Sequence, residues 1–408
     1  MPSFKIEMHL LQNFAPSCLN RDDTNTPKTC EFGGATRARV SSQSWKRAVR
    51  KSDIFVDALA GKTAVRTRRL VENLAEVVSG QQPVPISHQK VMHELFVEAG
   101  LLGKKDKDSK EQKPDKKAEG EGGNDKESAL TLTSKVLVYM PEDTIQEMAA
   151  VLREKWPELA QKNSAARSQV VAQMAELLEK NIQVPDLALF GRMIEISGDT
   201  PFGKRNLRVD AACQVAHAIS THKADYETDF YTAVDDLTQS KDEVGAGMLG
   251  TQGFNAACFY RYALVDHAQL VKNMGGDTRA ANNALEAFLK AFTLSIPNAK
   301  QNSHAAQNLP SFGLLVAREQ GVPVSLANAF AVPVYGANLI EDSKEKLCKH
   351  HAAMDKLYAL YEGATQAVFH SGEDDTVLRD LKPFKVDTFA LAVDAVMGRI
   401  DLSRKGGA

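Results

Sequence analysis

The strongest chemical signal in the chain is a concentration of positive charge. Ten basic residues (Arg37, Arg39, Lys46, Arg47, Arg50, Lys51, Lys62, Arg66, Arg68 and Arg69) are opposed only by Asp53 and Asp57, a local balance of +8. Ser41 and Ser42 are good N-cap residues. A helix starting there sets Gln43, Lys46, Arg47 and Arg50 at i, i+3, i+4 and i+7 on one face, with Trp45, Ala48 and Val49 turned inward. The unbonded N–H groups and positive dipole end of its first turn add to the two hydroxyls. With Arg21, Lys28 and Arg39 beside it, this is a surface for several phosphates, and so for a polyanion. A solvated basic face is the competing reading; the clustering and the hydroxyl-rich cap weigh against it.

Asp22-Asp23 could hold a divalent ion beside that polyanion, which makes a metal-dependent endoribonuclease the alternative function. No further carboxylate or histidine is visibly grouped with the pair, so a turn-capping role, or one orienting Arg21, is preferred. His88 and His93, and His217 and His222, stand at i, i+5, a poor spacing for two ligands on one helix face. Gly245 to Gly250 matches G-x-G-x-x-G, but the acidic stretch from Asp235 to Glu243 is no buried strand, so the motif reads as a hairpin loop. Gly198 to Lys204 has P-loop spacing, yet Arg205 stands where magnesium binding needs Ser or Thr. Neither cofactor, metal nor enzymatic activity is expected.

The elements that must position these residues follow from periodicity. Phe4, Ile6, Met8 and Leu10 alternate with Lys5, Glu7 and His9, predicting a half-buried strand. A polar loop over 13–34 leads to a short strand at 37–40 and then to the basic helix. Helical spacing returns at Leu70 to Val78, Ile145 to Trp156, Val170 to Leu178, Val209 to Ile219 and Leu285 to Ile296, with further helices near 343–362 and 385–398. Strands are expected at 191–194, 258–264 and 312–316. The run 104–127 holds eight lysines and eight acids and reads as a disordered insertion. The pattern predicts an α+β core carrying insertions.

Composition bounds the function. The 408 residues carry 50 Lys and Arg against 52 Asp and Glu, a net charge of −2, which excludes a uniformly basic coat but not a local patch. No apolar run approaches the length of a membrane span, so no membrane partner is expected. Five cysteines without C-x-x-C spacing predict neither disulfides nor a tetrahedral zinc site, and with them a reduced, cytoplasmic protein.

Several blocks resemble a known family. His9-Leu10-Leu11-Gln12-Asn13-Phe14-Ala15-Pro16-Ser17-Cys18-Leu19-Asn20-Arg21-Asp22-Asp23, Phe32-Gly33-Gly34 and Arg39-Val40-Ser41-Ser42-Gln43-Ser44-Trp45-Lys46-Arg47-Ala48 are similar to the CasC family, the backbone subunit of the type I-E CRISPR surveillance complex, Cascade. So are Ala216 to His222, Phe230 to Leu237, Leu249 to Gln252, Ile296 to Gln301 and Ser325 to Phe330. The resemblance implies a palm with an RNA-recognition-like (ferredoxin-like) fold at 1–59, 188–221 and 255–408. It also implies helical fingers at 60–187 and a β-hairpin thumb at 222–254. Its partners would be crRNA, further copies of itself, other Cascade subunits and, through guide pairing, target DNA. The protein would grip phosphates while pairing reads sequence. In the fingers, Arg153, Lys155, Lys162 and Arg167 are the candidates for target-DNA contact.

The thumb reading also has a basis in residue chemistry. Phe230-Tyr231 and Met248-Leu249 are apolar pairs near the ends of a segment rich in Asp, Lys, Gln and Gly. A hairpin without a core would expose them unless a surface meets them. The resemblance makes that surface the guide RNA and the neighbouring palm near Met193, with the four side chains wedged between bases. Packing against their own palm is the alternative.

Overall fold

The computed structural model describes residues 3–103, 132–196, 199–233 and 248–405. The charged run 104–127, and the glycine-rich motif up to residue 247, lie outside the described residues. From the N-terminus, β1 (Lys5–Ser17), β2 (Thr29–Phe32) and β3 (Ala35–Val40) lead into α1 (Ser42–Lys51) and α2 (Asp53–Ala58). Next come β4 (Ala64–Thr67), α3 (Leu70–Ser79), α4 (Ile86–Glu98), β5 (Val138–Pro141), α5 (Glu142–Glu154), α6 (Trp156–Ala160), α7 (Ser164–Lys180) and α8 (Pro185–Phe190). The chain continues through β6 (Cys213–Val215), β7 (Ala218–Ser220), β8 (Glu227–Ala233), β9 (Met248–Asp266), α9 (His267–Asn273), α10 (Thr278–Leu294) and α11 (Gln301–His304). It ends with β10 (Phe312–Arg318), α12 (Leu339–Tyr358), β11 (Thr365–His370) and α13 (Phe389–Lys405), with 3-10 turns at Ala327–Phe330 and Asp375–Phe384.

The chain divides into two compact units, 1–61 with 212–408, and 62–211. In the first, nine strands among the described residues form one antiparallel sheet, an α+β architecture. Its order is β11-β10-β1-β9-β7-β3-β2, with β6 and β8 pairing on β9. Strand β1 is central, setting Met8 opposite both Leu315 and Ala263. It is buried on both faces and not half-buried as its alternation predicts. Its buried polar residues find partners within the unit: Glu7 pairs with Arg318 at 2.6 Å and accepts the Val324 N–H at 2.7 Å, and His9 Nδ1 meets Tyr260 Oη at 2.9 Å, while His9 Nε2 makes no hydrogen bond. On that face Leu11, Leu314 and Val316 pack with Leu347 of α12 and Val368 of β11.

The second unit packs α3, α4, α5 and α7 around Leu74, Phe96, Met148, Val170 and Met174, with β4 and β5 as a two-stranded sheet. Helix α4 escapes the periodicity reading because polar residues interrupt its apolar face.

Further expectations need correction. The polar loop read over 13–34 holds the end of β1, to Ser17, and all of β2, because pairing with β9 and β3 extends the strands into polar sequence. The helix predicted over Val209 to Ile219 is instead β6 and β7, which pair with β9 at Cys213↔Val265 and Ile219↔Tyr260. Free hydrogen-bonding edge on β9 and the strand preference of Cys, Val and Ile override a helix-like spacing. The strand expected at 191–194 is a single bridge, Arg192↔Val209. The helix from Ser42 breaks at Ser52, whose side chain caps α2 by accepting the Phe55 N–H.

Candidate nucleic-acid interface

The basic helix is fixed at both its start and its inner face. Ser41 Oγ accepts the Ser44 N–H at 3.3 Å, and its own N–H donates to Asn20 Oδ1 at 2.9 Å. Ser41 Oγ thus serves as the cap acceptor and its O–H remains a donor. Trp45 and Val49 are buried, and the Arg261 guanidinium lies 3.6 Å from the Trp45 ring centroid. Arg261 also donates to Gln12 Oε1 and to the Phe292 carbonyl, which ties α1 to β1, β9 and α10. Outward, Gln43, Arg47 and Lys51 are exposed, while Ser42, Lys46 and Arg50 are half-buried.

A cleft of about 780 Å³ lies against this helix. Arg21, Asp22 and Asp23 enter it from the loop after β1, Arg47 and Lys51 from α1, Asp53 from α2, and residues 294–299 close the far wall. Asp22 is engaged within its loop. Its Oδ1 accepts from the Thr24 N–H, the Thr24 hydroxyl and the Thr26 N–H, and its Oδ2 from the Thr26 hydroxyl, all within 3.0 Å. These bonds hold its carboxyl down at about 2. Arg21 donates to Asn25 of the same loop. Among the described residues no group of three or more His, Cys, Asp or Glu is placed to hold a metal ion.

Of the ten clustered cations, Arg37 leaves the phosphate surface. It is fully buried and donates to the carbonyls of Ser220, Thr221 and Phe330 at 2.8–3.1 Å, stitching β3 to its neighbours. The β2–β3 turn carries Gly33 at φ +60°, where a Cβ would overlap the Ala331 carbonyl. Arg39 stays half-exposed, with Nε on the Thr29 carbonyl at 3.2 Å. Lys28 is half-buried; its N–H meets the Asn20 carbonyl and its carbonyl takes the Arg39 N–H.

His217 joins this group, and spacing alone did not single it out. Its Nδ1 accepts from Arg39 Nη1 and from the Ser42 N–H, each at 3.3 Å, so Nε2 carries the proton. Burial, with Arg39 and Lys28 nearby, holds its pKa below the ordinary value. Its block, Ala216 to His222, carries the family resemblance, but its place beside Arg39, 178 residues away, comes from the β3–β7 pairing.

The other candidate residues sit elsewhere. Phe230 and Tyr231 on β8 are 63% and 40% exposed. Met248 and Leu249 open β9 in register with Ala233 and Thr232. Tyr231 lies across from Gly250, where a Cβ would come within 2.5 Å of the phenol ring. Gly250 is thus the site of a cross-strand aromatic contact. In the second unit Met193 is 75% exposed beside Arg192, which is anchored on the carbonyls of Leu207 and Leu178. There too, Arg167 is buried and bonded to Glu94 and Glu98, a tie between α4 and α7, so its guanidinium is not presented outward. Lys162 meets Glu94 at 3.0 Å, Lys155 meets Glu158 at 3.3 Å, and Arg153 donates to the Val77 carbonyl. Among the described residues no helix is long and apolar enough to cross a membrane.

Comparison with known proteins bears on the whole chain. The family model described as "CT1975-like protein" matches residues 6–395. A chain of a solved structure described as "CRISPR RNA-guided surveillance complex, pre-nicking" is 29% identical, with a TM-score of 0.76 over 97% of this chain and 99% of that one. A second, described as "CRISPR RNA-guided surveillance complex", shares the fold at 23% identity and a TM-score of 0.56, over 97% and 99% of the two chains. No curated protein matches the chain.

Proposed function

The chain belongs to the CT1975-like protein family, and from that premise we propose that it is a guide-RNA-binding subunit of a CRISPR RNA-guided surveillance complex. In finer detail, it is the non-catalytic backbone subunit of a type I-E Cascade and works in the cytoplasm. Copies stack along the crRNA, and each grips phosphates without reading sequence. The antiparallel sheet forms the body of the RNA-recognition-like palm, residues 60–187 supply the fingers that face target DNA, and β8 with the start of β9 forms the thumb. Phe230, Tyr231, Met248 and Leu249 displace guide nucleotides at regular intervals, against Met193 of the next copy. The bases left between the thumbs are free to pair with target DNA.

The observation that carries this reading is the basic face of α1. Its inner side is locked by Trp45 and Arg261, its start by Ser41, and Arg47 and Lys51 face a cleft large enough for a polynucleotide backbone. Likeness to a surveillance-complex chain over 97% of the sequence supports the setting. The test is to co-express the chain with its CRISPR partners, purify the assembly and sequence the bound RNA. CRISPR-derived guides of unrelated spacer sequence are expected. A pool with no enrichment for guides contradicts the proposal.

A further inference from the structure

Among the described residues no carboxylate pairs with Arg261 of β9, although its side chain is buried. The guanidinium lies behind α1, 3.6 Å from the Trp45 ring centroid and 4.5 Å from that of Phe292 on α10. It donates to Gln12 Oε1 and to the Phe292 carbonyl, both neutral oxygens, and its Nε has no hydrogen-bond partner. The C-terminal end of α10 returns only a partial negative charge, roughly half an elementary charge. Burial alone draws the Arg261 pKa well below its ordinary value. A guanidinium keeps its proton even so. Arg318, on β10 of the same sheet and equally buried, is treated differently, with Glu7 2.6 Å away. An unpaired buried charge is costly, so a fold that needs an arginine only for packing gains by pairing it or by replacing it with an apolar side chain.

The place of Arg261 says what its charge can serve. Trp45 lies on α1 between Ser44 and Arg47, and Phe292 lies two residues before Leu294. Ser44, Arg47 and Leu294 all line the cleft of about 780 Å³. The cation therefore sits behind the corner where two walls of that cleft meet, one helix thickness from its open side, on the order of 10 Å. Mobile ions do not enter the packed layer between them. Salt therefore screens this charge much less than it screens Arg47 or Lys51 on the exposed face.

We propose that Arg261 supports the phosphate-binding face of α1 from within, as a fixed charge that a bound phosphodiester balances, a reading that rests on RNA binding by that face. The test is binding of a labelled single-stranded RNA to the full-length chain across a salt series, with urea unfolding beside it. Gln12→Glu sets a carboxylate on the guanidinium without removing it, exchanging the bond from Gln12 Nε2 to the Asn308 carbonyl for an ion pair. Its urea midpoint should stay close to that of wild type, while RNA affinity falls about threefold to tenfold at every salt concentration. The slope of log affinity against log salt should not change, because it counts the phosphates that surface cations neutralise, which a buried Arg261 does not touch. Arg261→Gln should displace the affinity line in the same parallel way, whatever it costs in stability. If Gln12→Glu binds RNA as tightly as wild type or more so, Arg261 serves packing alone and the proposal fails. A slope that flattens in Arg261→Gln shows that α1 has moved and taken Arg47 and Lys51 with it, which overturns the proposal in favour of a purely structural tie. Should Gln12→Glu not fold, the parallel or flattened line of Arg261→Gln decides alone. A wild-type chain that binds no RNA overturns both readings.

Discussion

Tyr231 covers Gly250 across the β8–β9 pair so closely that a Cβ there would stand 2.5 Å from the ring. Cross-strand cover of a glycine by an aromatic ring holds two strands in register where little other packing is available. Gly250→Val forces the ring off its seat. Because no described core cluster includes Tyr231 or Gly250, the melting temperature of the isolated chain should shift little, within roughly 0.5 kcal/mol of stability. Assembly on RNA, followed by light scattering, should weaken at least tenfold. A large fall in melting temperature would instead make the strand pair part of the fold's own support.

Arg47 and Lys51 face the cleft from the exposed side of α1. Replacing both with Gln should weaken RNA binding about equally for unrelated sequences. The slope of log affinity against log salt should become shallower by roughly 0.7 for each phosphate that the variant no longer neutralises. Neutralising Lys46 and Arg50 together should act in the same direction. Sequence-dependent losses would mean that these residues read bases.

Acid should destabilise the sheet through two buried histidines. Burial, with Arg318 nearby, lowers His9 to about 3 and His351 to about 4, from an ordinary 6.5. Each binds fewer protons folded than unfolded, so stability rises with pH across that window. Their contribution is fully present above about pH 6.5 and is lost as pH falls toward 3 to 4. Urea unfolding of wild type between pH 7 and pH 4, set against His351→Gln, should show the smaller pH dependence in the variant.

Asp22 spends its acceptors on Thr24 and Thr26. Incubated with magnesium and RNA, the purified chain should therefore leave the RNA intact. Cleavage that vanishes in Asp22→Ala with Asp23→Ala would turn the account toward a nuclease.

What the sequence makes legible is local. Ser41 through Arg50 reads as a capped amphipathic helix because the capping and the 3.6-residue period lie within ten residues. The opening of β1 and the strand through Tyr260 show in the same way. What it hides depends on distant partners. Glu7 and His9 look like a solvent face until Arg318 and Tyr260 are placed beside them. Arg37 reads as a surface cation, yet its carbonyl partners lie some 180 to 290 residues away. His217 is likewise brought to Arg39 only by strand pairing.

On the proposed function, thumbs interrupt a phosphate-gripped guide at regular spacing. Chemical probing of base-pairing edges along the guide, within the assembled complex, tests this most directly. Reactivity should repeat with a constant period along the spacer, and lose that period when Phe230 and Tyr231 are replaced by Ser. Uniform reactivity along the bound guide, or a pattern that follows its sequence and ignores these substitutions, would contradict it.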